Sequence, residues 1–216
     1  MAKRLKSGDI LRLPLCCGWG FAYAKYQNIL GLGGNDSYPD LLRLFSYRSP
    51  TDDVLDLARL QSYLLPPTLW AGRLPTLRHG RWQLVGALPV LPEEQALPDF
   101  RWNECSMADR MMVPHPPPPG ATLYAPRLGA RCETAVANVT HLEYLGAMPS
   151  AFIEYRTTLA LMLHEGATPT DCLDACDPTY QYELNVLQTR PFPGDLSPHL
   201  YGRARQPGDP GYVPLT

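Results

Sequence analysis

The sequence predicts an α+β fold, with a β-rich N-terminal half and a smaller helical C-terminal part. Three observations predict it. Leu11, Leu13 and Leu15 alternate with Ile10, Arg12 and Pro14, which is the period of a strand with one apolar face. From Ser150 to Glu165, Phe152, Ile153, Tyr155, Leu159, Met162 and Leu163 recur at helical spacing. Proline is abundant, at 24 of 216 residues. It removes a backbone donor and is excluded from helix interiors and central strands, so short elements joined by ordered loops are expected.

Taken in order, residues 8–15 form the first strand, with Pro14 at an edge or a strand end. Cys17, Gly18, Trp19 and Gly20 supply a turn, and residues 21–26 return as a second strand with Phe21, Tyr23 and Lys25 on one face. The glycine-rich loop at 31–36 has no following Lys-Ser/Thr and no helix pattern after it. It therefore reads as a hairpin tip and not as a phosphate cradle. Leu41 to Tyr47 is a third strand. Thr51 can cap a short helix, with Asp52 and Asp53 in its first turn and Val54, Leu55, Leu57, Ala58 and Leu60 continuing it. Residues 63–70 read as a strand broken by Pro66 and Pro67, and residues 82–89 are the clearest later strand, on which Trp82 is expected in the core.

The division along the chain is a β-rich domain over 5–105, a proline-rich connection over 106–131, a helical part over 132–190 packed on it, and a proline- and glycine-rich tail over 191–216. Pro114 and Pro116 to Pro119 favour an extended polyproline stretch, either a stiff strap or a ligand for an SH3-type domain. Residues 133–145 read as a strand or a short helix, with 134–138 taken as strand. Ser150 caps the long helix and Gly166 ends it. A second short helix is expected to start at Thr170 and stop before Pro178. The tail either lies on the body or is disordered.

Hydrophobic residues make up 45% of the chain and the formal net charge is -2, which gives no electrostatic footprint for nucleic acid. Asp9, Arg12 and Pro14 interrupt the first apolar run, so no signal peptide is expected, and no stretch reaches the length of a membrane helix. A soluble, cytoplasmic protein with no membrane association follows, and its six cysteines are expected as reduced thiols. Cys16 and Cys17 should point to opposite faces of a strand, and Cys172 and Cys176 lie one helical turn apart. No CxxC pair or nearby histidine completes a zinc set, so neither a metal nor a cofactor is expected.

No catalytic motif is present: there is no HExxH, GxSxG, Walker A or GxGxxG pattern. Cys105 or Cys132 could pair with His141 as nucleophile and base only through a contact made by the fold. Acidic residues do concentrate, at Asp52, Asp53 and Asp56, at Glu93, Glu94 and Asp99, and at Asp171, Asp174 and Asp177. These are either solvated charge or an acidic surface facing a basic partner, where complementary charge speeds encounter. Trp19, Trp70 and Trp102 are candidate aromatic anchors. The candidate partner contacts are Asp52, Asp53, Asp56, Glu93, Glu94, Asp99 and Trp70.

Gly8-Asp9-Ile10, then Leu13-Pro14-Leu15, then Gly18-Trp19-Gly20-Phe21-Ala22 resemble the opening of the bacterial immunity protein 26 family. Residues 82–90, with Trp82, Gly86 and Pro89, resemble that family's Trp-x-apolar-apolar-Gly-x-apolar-Pro strand, and Pro98-Asp99-Phe100 also fits. The resemblance covers residues 5–105. It implies a strongly bent antiparallel sheet or half-barrel, and a protein that binds and neutralises a cognate toxin without catalysis. An acidic surface would suit a toxin whose own site is basic, such as one acting on nucleic acid or nucleotides. The alternatives are an adaptor that uses the proline strap, or a cysteine-dependent hydrolase.

Overall fold

A computed structural model describes residues 4–34, 37–102 and 120–215. The expected hairpin is present: β1 (Asp9–Pro14) pairs antiparallel with β2 (Phe21–Gln27) across a 3₁₀ turn at Cys16–Gly18. Pro14 is the last residue of β1 and lies beyond the pairing with the neighbouring strand at Gln83–Ala87, where its missing N–H costs nothing. Gly20 is obligatory at the start of β2. Its φ of +101° is open to glycine, and a Cβ there would collide with the Ser49 carbonyl.

β3 (Leu41–Ser49), β4 (Thr68–Ala71), β5 (Gln83–Ala87) and β9 (Ala147–Pro149) complete a six-stranded open sheet in the order β5-β1-β2-β3-β4-β9. All its pairings are antiparallel except the last, in which β9 lies parallel to β4. Register shifts at Ile10/Leu11 and between Ala22 and Ala24 mark bulges, the usual device for bending a strand. β6 (Phe100–Arg101), β7 (Ala121–Ala125) and β8 (Cys132–Ala135) form a second, three-stranded sheet. The fold is thus α+β, β-rich in its first half and helical towards its end.

Alternation along the strands gives the larger sheet two different faces. Leu11, Leu13, Ala22, Ala24, Leu42, Leu44 and Trp70 form an apolar face. The helices α2 (Ser150–Glu165) and α3 (Pro178–Thr189) cover it with Ile153, Leu159, Leu161, Tyr180 and Leu187. The other face carries Ile10, Tyr23 and Phe45, packed with Leu60 and with Tyr63, the bridge partner of Phe45, and then turns polar at Lys25, Gln27 and Arg43. All three of these polar residues are buried.

Several expectations are corrected. No helix forms over residues 51–60; only a 3₁₀ turn at Leu57–Arg59 does, with Asp56 accepting from the Ala58 amide at 3.0 Å. The side chain of Thr51 instead bonds Asp53, and Arg12 on the sheet pairs with Asp52, so the first turn is drawn onto the sheet. α1 (Arg73–Arg78) was not expected. The 106–131 stretch includes β7, which is a strand and not a connection, and residues 132–190 contribute β8 and β9 as well as helices. The expected strand at 134–138 ends at Ala135 and gives way to a 3₁₀ turn at Val136–Asn138. The polyproline reading at 114–119 lies outside the described residues.

The long helix runs as expected, although Pro149, not Ser150, is the capping residue, and Gly166 closes it at φ +70°. Pro178 begins a helix instead of stopping one. Asp177 caps it by accepting from the Thr179 amide at 2.8 Å, and proline is tolerated at the first helical position because its N–H would be unsatisfied there anyway. The tail lies on the body: Leu200 and Ala204 are buried, and the Gly202 carbonyl accepts from the Asp99 amide at 2.8 Å.

Cys17 and Cys172 form a disulfide between residues 155 positions apart, which corrects the expectation of reduced thiols throughout. Cys17 sits in the β1–β2 turn and not on a strand. That turn and the segment that follows α2 both pack on α2, which brings Cys17 to Cys172, a contact no local pattern encodes. In denatured, unreduced protein, thiol titration should find two fewer thiols than after reduction, and replacing Cys17 with serine should remove the difference. Equal counts before and after reduction of the parent would show that the bond does not form.

Candidate functional site

The seven candidate contacts separate into exposed and buried sets. Asp52, Asp53, Asp56 and Glu93 are exposed. Glu94 is wholly buried, so it offers no contact surface. Lys25 Nζ donates to its Oε2 at 2.6 Å, the Leu91 amide donates to the same oxygen at 2.8 Å, and Tyr63 donates to Oε1. Burial alone would raise the Glu94 carboxyl, but the bonds from Lys25, Tyr63 and Leu91 outweigh it and hold it below the usual carboxylate range.

Asp99 is also buried, with Oδ1 accepting from the Arg127 amide at 2.9 Å and Oδ2 from the Ala204 amide at 2.8 Å. It ties the turn after β7 to the tail. Trp70 stacks on Trp82 inside the core, and its Nε1 donates to Ser150 Oγ at 2.9 Å. The expected acidic patch at Glu93, Glu94 and Asp99 therefore does not exist as a surface. Among the other tryptophans, Trp19 lies under the Arg48 guanidinium at 4.1 Å and Trp102 under that of Arg131 at 3.5 Å. Asp171 and Asp174 are exposed, while Asp177 is used as the helix cap.

The exposed acidic residues at 52–56 form a loop with a distinct shape. Val54 at its centre is 100% exposed, flanked by Asp52, Asp53 and Asp56. The loop is held at both ends. Ser49 Oγ bonds the buried Tyr23 hydroxyl at 2.6 Å and the Thr51 carbonyl at 3.0 Å, and Leu55 and Leu57 pack against the second face of the sheet.

Beyond the loop, the same face of the sheet ends in a buried polar network. Arg43 Nε donates to Gln27 Oε1 at 2.6 Å, and Gln27 Nε2 donates to the Glu94 carbonyl at 3.0 Å. The Arg43 guanidinium lies 5.1 Å from the ring centroid of Tyr201, which stacks on Tyr63 at 4.7 Å. Burial, foremost, pushes both tyrosine hydroxyls far above their ordinary range, so they stay neutral. A cleft of about 440 Å³ opens beside this network, bounded by Leu97, Pro98, Tyr124, Pro126 and Tyr201, with Arg43, Arg127, Arg203, Glu93 and Asp99 also lining it.

Sequence reading found Glu93 and Asp99 but missed the cations and the tail. A usable signal was present: Lys25 and Gln27 continue the face begun by Phe21 and Tyr23, so that face had to be either solvated or covered by polar partners. His141, the candidate base, is engaged elsewhere. Its Nε2 donates to the Arg203 carbonyl at 2.8 Å, and Arg205 donates to its Nδ1 at 3.3 Å. Cys132 is exposed and bonds the Ala130 carbonyl, and Cys105 lies outside the described residues. Among the described residues no group of three His, Cys, Asp or Glu side chains is placed to hold a metal ion, and no helix is long and apolar enough to cross a membrane.

Compared with family models, curated proteins and solved structures, the chain finds no match. The resemblance over residues 5–105 rests on its own motifs.

Proposed function

We propose that the chain is a stoichiometric binding protein that neutralises a cognate bacterial toxin, with the loop at 51–56 as its contact and without catalysis or a cofactor. The carrying observation is the fully exposed Val54 set among three exposed aspartates on a loop fixed to the sheet at both ends. An apolar centre within a polar rim is the general layout of an interface patch, and fixing it beforehand lowers the ordering cost of association. The acidic rim suits a basic partner, such as a toxin acting on nucleic acid or nucleotides, and the protein itself contacts no nucleic acid. The reading places the protein in the cytoplasm, where such a toxin acts. Cellular reductants reach the Cys17–Cys172 bond there, so the fold must survive its reduction.

The test is binding to the toxin encoded beside the chain, measured for the parent and for a variant with Asp52, Asp53 and Asp56 all replaced by lysine. The expected result is an association rate lowered by about tenfold or more at low salt, with the gap narrowing as salt rises. Val54→Asp should mainly speed dissociation. If both variants fold, as judged by circular dichroism, and bind like the parent, the loop is not the contact.

A further inference from the structure

The cleft beside the polar network holds an arginine without a counter-ion. Arg43 is only 2% exposed, and among the described residues no carboxylate forms an ion pair with it. The network around it contains two cations, Lys25 and Arg43, and one carboxylate, Glu94, which Lys25 already engages at 2.6 Å. It thus carries one uncompensated positive charge, and a buried charge without a partner is among the costlier features a fold can keep. Gln27 and the Tyr201 ring satisfy part of the guanidinium but carry no charge.

A second observation falls on the same cleft. Arg127 (φ 49°) and Leu128 (φ 56°) both adopt the left-handed backbone that side chains disfavour, and they are consecutive. The Asp99 carboxylate holds the Arg127 amide in that conformation. The turn sets an exposed arginine on the lining of the cleft, and among the described residues its guanidinium has no ion-pair partner. The remaining charges on the lining are spoken for: Arg203 pairs with Asp209 at 2.9 Å, both Asp99 oxygens accept backbone amides, and Glu93 is solvated.

We propose that this cleft binds a small organic anion, a carboxylate or phosphate monoester on a flat apolar body, with its charged head on Arg43 and Arg127. Guanidinium groups match the oxygen spacing of both heads and hold them with charge-assisted hydrogen bonds. Leu97, Pro98, Pro126 and the rings of Tyr124 and Tyr201 supply the apolar walls, and about 440 Å³ is a volume typical of small-ligand sites.

Titration of the full chain with phenyl phosphate, benzoate, inorganic phosphate and the neutral benzamide, followed by calorimetry and NMR shifts, tests it. Phenyl phosphate and benzoate should bind saturably, inorganic phosphate more weakly, and benzamide not at all. Arg127→Gln, at an exposed position that leaves the fold intact, should weaken phenyl phosphate by about tenfold or more. Arg43→Gln should abolish binding, and if that variant does not fold, Arg127→Gln decides. Benzamide binding as tightly as benzoate, unchanged affinity in Arg127→Gln, or no saturable binding of any anion would each overturn the site. Equal affinity for inorganic and phenyl phosphate would overturn the role given to the apolar walls.

Discussion

Replacing Trp82 with alanine should lower the stability of the chain by about 3–5 kcal/mol, the usual cost of removing a large buried aromatic. The side chain is 1% exposed and stacks on Trp70 with ring centroids 4.6 Å apart, nearly parallel. Its Nε1 donates to Glu154 Oε1 at 2.7 Å, so truncation opens a cavity and also strips a donor from a buried carboxylate. The neighbouring β5 is the edge of the sheet, not its centre. The burial of Trp82 comes from α2 and Trp70. Trp82→Phe should fall between alanine and the parent, since it refills most of the space and Arg81 still pairs with Glu154. Urea unfolding followed by circular dichroism reads the difference; an unchanged midpoint in the alanine variant would mean the stacked pair contributes nothing.

What the sequence revealed and what it hid have physical reasons. The β1–β2 hairpin and α2 were legible because apolar residues recur at a single period over many positions, and because Gly166 marks the helix end. The segment at 51–60 carries helix-cap chemistry, yet Arg12 and the apolar cover made by Leu55 and Leu57 hold it on the sheet, so tertiary contacts overrode a weak local preference. Pro178 was ambiguous because proline both ends and begins helices, and the capping Asp177 decided it. The second sheet pairs strands only two to five residues long, too short for a period to register. Glu94 and Asp99 read as surface charge because acidity shows in sequence and burial does not. Their partners, Lys25, the turn at Arg127 and the tail, lie far away along the chain.

The same blindness hid the charge cluster whose disruption should be the other large loss. Arg156 on α2 donates towards Glu143 at 2.8 Å and lies 2.9 Å from Glu183 on α3, while Arg190 approaches Glu143 at 2.9 Å. All four side chains are at most 5% exposed. Burial by itself would raise Glu143, but Arg156 and Arg190 outweigh it and hold the carboxyl below its ordinary range. Burial also drives Glu183 upward, with Glu143 adding to the effect and Arg156 opposing it, and here the net shift is up. Arg156 is thus the nearest cation opposing the cost of burying the Glu183 carboxyl between the two helices. Arg156→Met keeps the stem and removes the charge, and at neutral pH it should cost about 3–5 kcal/mol, because it leaves a buried carboxylate unpaired. Without Arg156 the Glu183 carboxyl moves further above its unfolded value. A group raised in this way favours the folded state at low pH and loses that contribution as pH rises through its folded value. The destabilisation by Arg156→Met should therefore shrink as pH falls from neutrality towards the usual carboxylate range, and adding Glu183→Gln to the same chain should remove part of that pH dependence, the rest belonging to Glu143, which Arg156 also holds down. Unfolding midpoints of the parent, the single variant and the double variant across that range decide it. A loss that is flat with pH, or a single variant as stable as the parent at neutral pH, would show that Arg156 does not offset the burial of these carboxylates.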